Sequence, residues 1–133
     1  MKAPSRMIRF SFSFGFSGYL AVVPGVASAQ IFIQDPNIIH QDYRANKISA
    51  IDRWNNKDVV VNGIVDDIEM GYVQVDSTTP LGGAVFCYYT NSISEISQLS
   101  PDQKVTATGR LQLSKRRFVG LKADLMGCTI TPR

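Results

Sequence analysis

Residues 104–113 read KVTATGRLQL, and their reading decides the fold. Val105, Ala107, Gly109, Leu111 and Leu113 alternate with Thr106, Thr108, Arg110 and Gln112. A period of two sustained from Val105 to Leu113 marks a strand with one face buried and one face in water. Residues 119–130, VGLKADLMGCTI, repeat the pattern with Val119, Leu121, Ala123 and Leu125. Gly127 then permits a one-residue shift that returns Cys128 and Ile130 to the inner face. Between the two strands stands a basic knot, Ser114-Lys115-Arg116-Arg117, followed by Phe118. The C-terminal part of the chain therefore reads as a hairpin with a charged tip.

Upstream, Asp58 to Ile68 is rich in valine and isoleucine, with Gly63 inside it, where a strand often bulges or bends. Asp66 to Gly71 supplies a turn, Tyr72 to Val75 a short second strand, and Thr79 to Gly83 a loop before a third strand from Ala84 to Thr90. Ser92 and Glu95 fit a capping box, and Ile96 and Leu99 follow before Pro101 ends the turn. Nearer the N-terminus, Asp35-Pro36 reads as a cap with proline in the first helical turn. Ile39, Tyr43, Asn46, Ala50, Ile51 and Trp54 then recur at helical spacing, and Asn55-Asn56 closes the element. This predicts one helix whose apolar stripe must pack on the rest of the domain, since an isolated helix of this length is marginal.

The order is helix, three strands, short helix, two strands. It defines a mainly β (α+β) chain: a five-stranded OB-fold barrel with an N-terminal helix and a short helix between strands three and four. The barrel is assigned to residues 57–133, and an N-terminal extension and helix to residues 30–56. Glycines within the first and fourth strands suit the sharp coiling that such a barrel needs.

Residues 1–29 read as a secretory signal peptide. Lys2, Arg6 and Arg9 precede a mostly apolar stretch from Phe10 to Val23, Pro24-Gly25 breaks it, and Ala27-Ser28-Ala29 gives the small-x-small cleavage pattern before Gln30. The apolar core is too short to span a bilayer, and no cysteine stands at the cleavage point to carry a lipid. The chain has 14 Lys+Arg against 11 Asp+Glu, but three of the basic residues and none of the acidic ones lie in this segment. Residues 30–133 are formally neutral, so the basic whole-chain balance is no argument for a polyanion partner. Cys87 and Cys128 both lie beyond the cleavage point, and an even pair in an exported domain favours a disulfide. Strands three and five are neighbours in an OB-fold, which allows the two cysteines to meet. The expected location is the periplasm or the exterior.

The run Tyr43-x-x-Asn46-x-x-x-Ala50-x-x-x-Trp54-x-x-Lys57-x-Val59-x-Val61-x-Gly63-x-Val65 resembles the tRNA_anti-like OB-fold family, small and often exported bacterial proteins. Val85-x-Cys87, Gln103-x-Val105-Thr106-x-x-Gly109 and Leu125-x-x-Cys128-x-Ile130 extend the resemblance over nearly all of residues 30–133. Trp54 stands where a tyrosine is more usual. The resemblance implies the fold. Its name records a likeness to anticodon-binding domains, and the family has no settled activity.

An OB-fold binds ligands on the face of its second and third strands, flanked by the loops joining strands one to two and four to five. Candidate stacking aromatics here are Tyr72, Tyr88, Tyr89 and Phe118, and candidate cationic contacts are Arg110, Lys115, Arg116 and Arg117. Basic side chains beside aromatics suit single-stranded nucleic acid. Against that, Asp66, Asp67 and Glu69 in the opposite loop would repel phosphates from the same cleft, and residues 30–133 lack a broad basic footprint. The knot thus reads first as a solvated, charged hairpin tip that discourages edge pairing. An envelope protein or glycan is the favoured partner of such a binding module, with single-stranded nucleic acid as the alternative. Catalysis is not expected: the single histidine, His40, sits in a polar segment as a surface residue, and paired cysteines leave no thiol nucleophile. Asp66, Asp67, Glu69 and Asp76 match no calcium-loop spacing and read as a solvated turn, so neither metal nor cofactor is assigned. Intact-mass measurement of the exported protein should find a chain starting at Gln30; full-length material in the envelope would overturn the assignment.

Overall fold

The protein was analysed as a computed structural model that describes residues 20–21, 29–115 and 120–133. Apart from Leu20–Ala21, the apolar stretch assigned to the signal peptide lies outside the described residues, as do Arg116, Arg117 and Phe118. Strand β1 spans Gln30–Ile33, helix α1 Asn37–Ala45 and helix α2 Lys47–Trp54. The barrel strands are β2 (Lys57–Ile68), β3 (Val73–Asp76), β4 (Ala84–Tyr89), β5 (Lys104–Lys115) and β6 (Leu121–Pro132), with the short helix α3 (Ile93–Ile96) between β4 and β5.

The barrel closes as an OB-fold does. Strand β2 pairs antiparallel with β3, β3 with β4, and β6 with β5; β4 runs parallel to β6, and β5 returns to β2. The alternation read from the sequence is the alternation of burial. Val105, Ala107, Leu111, Leu121, Ala123, Leu125, Cys128 and Ile130 are buried and join Val59, Val61, Val65, Val73, Val75, Val85 and Cys87 in one core. The shift at Gly127 is present: Leu111 faces Leu125, Arg110 faces Met126, and Thr108 faces Thr129. Gly127 takes φ +57°, a region open to glycine. Gly109 lies under this bulge, where a Cβ would sit 2.9 Å from the Met126 carbonyl oxygen. Gly63 carries no bulge of its own; the register of β2 on β3 shifts instead between Val65 and Asp67.

Two features depart from the sequence reading. The first is β1, placed in the sequence within an irregular extension. It pairs parallel to β2 from Asp58 to Val61, while β3 covers the other end of β2, from Ile64 to Ile68. Strand β3 has four residues against twelve in β2, so β1 occupies part of an edge that would otherwise present bare amides. Leu20–Ala21 in turn pairs with Gln30 and Ile31. The second departure is that the N-terminal helix is two helices, broken at Asn46. Asn46 adopts φ −160° and ψ 105°, donates its amide to the Asp42 carbonyl and caps α2 by accepting from the Ser49 amide at 3.0 Å. Asparagine competes for backbone bonds in this way, which is why it favours caps over helix interiors. The break rotates Ile51 out to 42% exposure, whereas Ile39, Tyr43, Ala50 and Trp54 remain buried in the core. Asp42 ties the halves together: its Oδ2 accepts from Trp54 Nε1 at 2.8 Å and from Arg53 at 3.4 Å.

Cys87 and Cys128 form the disulfide, with Cα atoms 5.4 Å apart across the parallel β4–β6 contact. Beyond it, Asn91 extends the contact with a side chain. Its Oδ1 accepts from the Ile130 amide at 3.0 Å and its Nδ2 donates to the Ile130 carbonyl at 3.1 Å, as a paired backbone would. The expected capping box is formed by Ser92 and Glu95.

The bridge closes a sequence separation of 41 residues, worth roughly 4 kcal/mol in the chain-entropy account. Thiol titration of denatured, unreduced protein should find no reactive cysteine. Replacing both cysteines with alanine should lower the unfolding free energy by about 2–5 kcal/mol in denaturant melts.

Candidate functional site

The phase of β4 is fixed by Cys87. Its side chain is fully buried, so Phe86 and Tyr88 project outward, as do Gln74 and Asp76 from β3 and Lys122 and Asp124 from β6. Tyr72, just before β3, completes the group. Its ring lies 5.7 Å from that of Phe86, edge to face at 73°, and 5.8 Å from that of Tyr88 at 50°. Lys122 Nζ sits 5.9 Å from the centroids of both Phe86 and Tyr88, donates to Tyr88 Oη at 3.4 Å, and pairs with Asp124 at 3.3 Å. Three aromatic rings and one ammonium thus share the outer wall where β4 meets β6.

Phe86, Gln74 and Asp76 also line a neighbouring cleft of about 750 Å³, bounded further by His40 and Tyr43 of α1 and Leu121 of β6, whereas Tyr72, Tyr88, Lys122 and Asp124 stand outside its lining. The loop between β3 and β4 forms its rim and is held firmly. Asp35 accepts from Asn37 through Oδ1 at 2.8 Å, and through Oδ2 from the Thr78 amide and hydroxyl at 3.0 and 2.8 Å. His40 Nε2 donates to the Ala84 carbonyl at 2.8 Å. Gly83 takes φ +96° beneath that imidazole, where any Cβ would overlap the ring. His40 is therefore a half-buried tether between α1 and the rim, not the surface residue its sequence context suggested.

The carboxylates of this region feel one another. Burial raises Asp76 above the usual carboxylate value, a hydrogen bond from Gln74 opposes that, and the charge of Asp66 raises it further. Asp67 likewise lifts Glu69. Burial acts to raise Asp35 as well, but hydrogen bonds from Ser77, Asn37 and Thr78 outweigh it and hold the group low. The hydrogen bond to Tyr88 does most to hold Lys122 above its ordinary value; burial opposes it, and the hydrogen bond and charge of Asp124 add smaller upward pushes.

Of the sequence candidates among the described residues, the structure brings Tyr72 and Tyr88 together and places Tyr89, Arg110 and Lys115 elsewhere; Arg116, Arg117 and Phe118 lie outside the described residues. Tyr89 turns inward after the bulge and packs against the core; its hydroxyl donates to the Glu69 carbonyl at 3.0 Å and accepts from the Gly71 amide at 2.9 Å. Its hydroxyl fastens the turn at Glu69–Gly71. Arg110 is exposed on the outer face of β5 as expected, but it binds Asp58 at 3.3 Å and Asn56 across β2, away from the aromatic wall. Lys115 is exposed at the end of β5, opposite Leu121. Phe86, Lys122 and Asp124 were missed. The signal for Phe86 was present in the sequence, because burying Cys87 in a disulfide forces its neighbours outward.

No family model matches the chain, and no curated protein does. Among solved structures, one described as "OBody AM3L09 bound to hen egg-white lysozyme" aligns with a TM-score of 0.45 and 20% identity, covering 61% of this chain and 87% of that one.

The Asp76 shift has a definite sign. A carboxyl raised by folding destabilises the native state while ionised, and the penalty fades as pH falls through the folded value. Asp76→Asn should therefore raise the melting temperature at neutral pH, with a gain that shrinks as pH approaches 3.8, the ordinary value. Asp35→Asn should do the opposite: it should lower stability at neutral pH and cost progressively less below 3.8. Thermal melts across that pH range check both.

Proposed function

We propose that this protein is an exported, non-catalytic binding module whose ligand surface is the aromatic wall of β3, β4 and β6, and whose partner is an envelope protein or glycan. One observation carries the reading: Tyr72, Phe86 and Tyr88 cluster on the outer wall beside a cleft of about 750 Å³, where inward-facing valines would have sufficed for stability. Aromatic rings bordered by a few polar groups are the usual make-up of a small-ligand site. The disulfide supports export, because such bonds persist in oxidising compartments. The resemblance to exported tRNA_anti-like proteins points the same way. No helix among the described residues is long and apolar enough to cross a membrane. Both cysteines lie in the bridge, which is consistent with a role in binding rather than thiol chemistry.

The alternative, a single-strand nucleic-acid binder, uses the same wall with the basic tip at residues 115–117. Three phosphate contacts there would give a salt slope of roughly −2 to −3 on a log–log plot. Fluorescence anisotropy with single-stranded RNA and DNA at physiological salt should register no binding. Reversing the charge of Lys115, Arg116 and Arg117 should leave the melting temperature nearly unchanged, because charges on a solvated hairpin tip, as the sequence predicts for these three, would contribute little. A salt-dependent complex that is lost in the reversed variant would instead establish the alternative.

A further inference from the structure

We infer that the exposed face of α2 docks the protein on an anionic lipid surface, independently of what the aromatic wall binds. Ile48 and Ile51 stand one helical turn apart on α2 and are 83% and 42% exposed. Ala50 and Trp54 of the same helix are buried in the core. The helix thus packs by one apolar stripe and presents a second one to water. Two bonds fix where this second stripe lies. Asn55, one turn beyond Ile51, accepts from the Leu113 amide through Oδ1 at 2.8 Å, and Asn56 donates its amide to the Leu111 carbonyl at 2.7 Å. They set the end of α2 beside the end of β5, with Lys115 just beyond.

Cations flank the isoleucines at both ends of the helix. Arg44 lies in the last turn of α1 and Lys47 opens α2, while Lys57 opens β2 after the helix ends. Lys57 and Lys115 follow the inward phase of their strands, marked by Val59 and Leu111, which is the side on which α2 packs. All four cations are exposed, and none is paired with a carboxylate among the described residues. Two nearby carboxylates are occupied, Asp42 by Arg53 at 3.4 Å and Asp58 by Arg110 at 3.3 Å, which leaves Asp52. The neutral balance of residues 30–133 hides this asymmetry. Asp66 and Asp67 lie roughly 30 Å along β2 from Lys57, at about 3.3 Å per residue. Asp102 joins them there, its amide donating to the Val65 carbonyl. An acidic far end and a basic near end orient the molecule on a negative surface. An aliphatic pair bordered by Lys and Arg is the make-up of a helix that lies in the lipid interface, where apolar side chains enter the acyl boundary and ammonium groups meet phosphates. A single-stranded nucleic acid would need exposed rings for stacking, and the aromatic residue of α2, Trp54, is buried.

The test is flotation of the protein, as recovered from its own cells, with vesicles of phosphatidylcholine alone and of phosphatidylcholine mixed with phosphatidylglycerol. An unprocessed chain would bind both through its apolar residues 10–23, so the readout is the difference between lipid compositions and between variants. Binding to the mixed vesicles should be at least about tenfold stronger and should fall as salt is added. Ile48→Ser combined with Ile51→Ser should weaken it about tenfold or more. Lys47→Gln and Lys57→Gln should each weaken it about fivefold. Asp52→Asn should strengthen it about fivefold, and only on the mixed vesicles, whereas a misfolded chain would gain on both. Equal binding to the two vesicles, or variants indistinguishable from the parent, would overturn the inference. Binding to soluble polyglutamate without binding to vesicles would also overturn it and make this face a contact for an acidic protein.

Discussion

The parallel contact between β4 and β6 is the joint on which the barrel depends. Strands β5 and β6 pair from Val105 to Lys115, and β2 and β5 from Lys57 to Ile64, so those walls hold by long antiparallel ladders. The β4–β6 joint has only the pairs Phe86–Asp124, Cys87–Leu125 and Tyr89–Cys128. Parallel pairing is also slightly weaker per residue. A covalent bond and the Asn91 side chain reinforce the place where the ladder is shortest. The bulge at Gly127 serves the same end: without its extra residue, Cys128 would face solvent and the bridge could not form. The aromatic wall straddles this joint, with Phe86 and Tyr88 on one side and Lys122 and Asp124 on the other. Closure of the barrel and assembly of the wall are therefore one event.

The barrel was legible in the sequence because its physics is local and periodic. Alternation from Val105 to Leu113 records a strand with two unlike faces, and Ser92 with Glu95 records a helix start within four residues of chain. The cysteine pair added the one long-range constraint, and topology then joined it to the fold. The break at Asn46 was hidden because the residues on either side keep helical spacing: Tyr43, Ala50 and Trp54 stay buried whether or not the helix is continuous. Strand β1 was hidden for a different reason. Ile31, Phe32 and Ile33 are good strand formers, but four residues are too short to show a period, and the parallel partner is set by the edge that β2 offers.

The wall was half legible. Tyr72 and Tyr88 follow from fold analogy together with aromatic type, but type alone also selected Tyr89, whose side chain faces inward after the register shift. Lys122 and Asp124 look like the polar half of an ordinary alternating strand. Their role emerges only when β6 is laid beside β4, across a chain separation that periodicity does not encode. His40 is similar: its partners, Gly83 and Ala84, come from a loop fixed by Asp35 on the other side of the helix start.

Alternation along β3, β4 and β6 divides the protein's inheritance into two nearly independent texts. Val73, Val75, Val85, Cys87, Ala123 and Leu125 are written for the core and tolerate little revision. Tyr72, Gln74, Asp76, Phe86, Tyr88, Lys122 and Asp124 are written for the outer face. Selection can rewrite the second text one letter at a time while the first stays fixed. A lineage of such barrels can thus diverge in what it recognises long before it diverges in shape, and overall sequence identity between its members will understate how alike they remain inside.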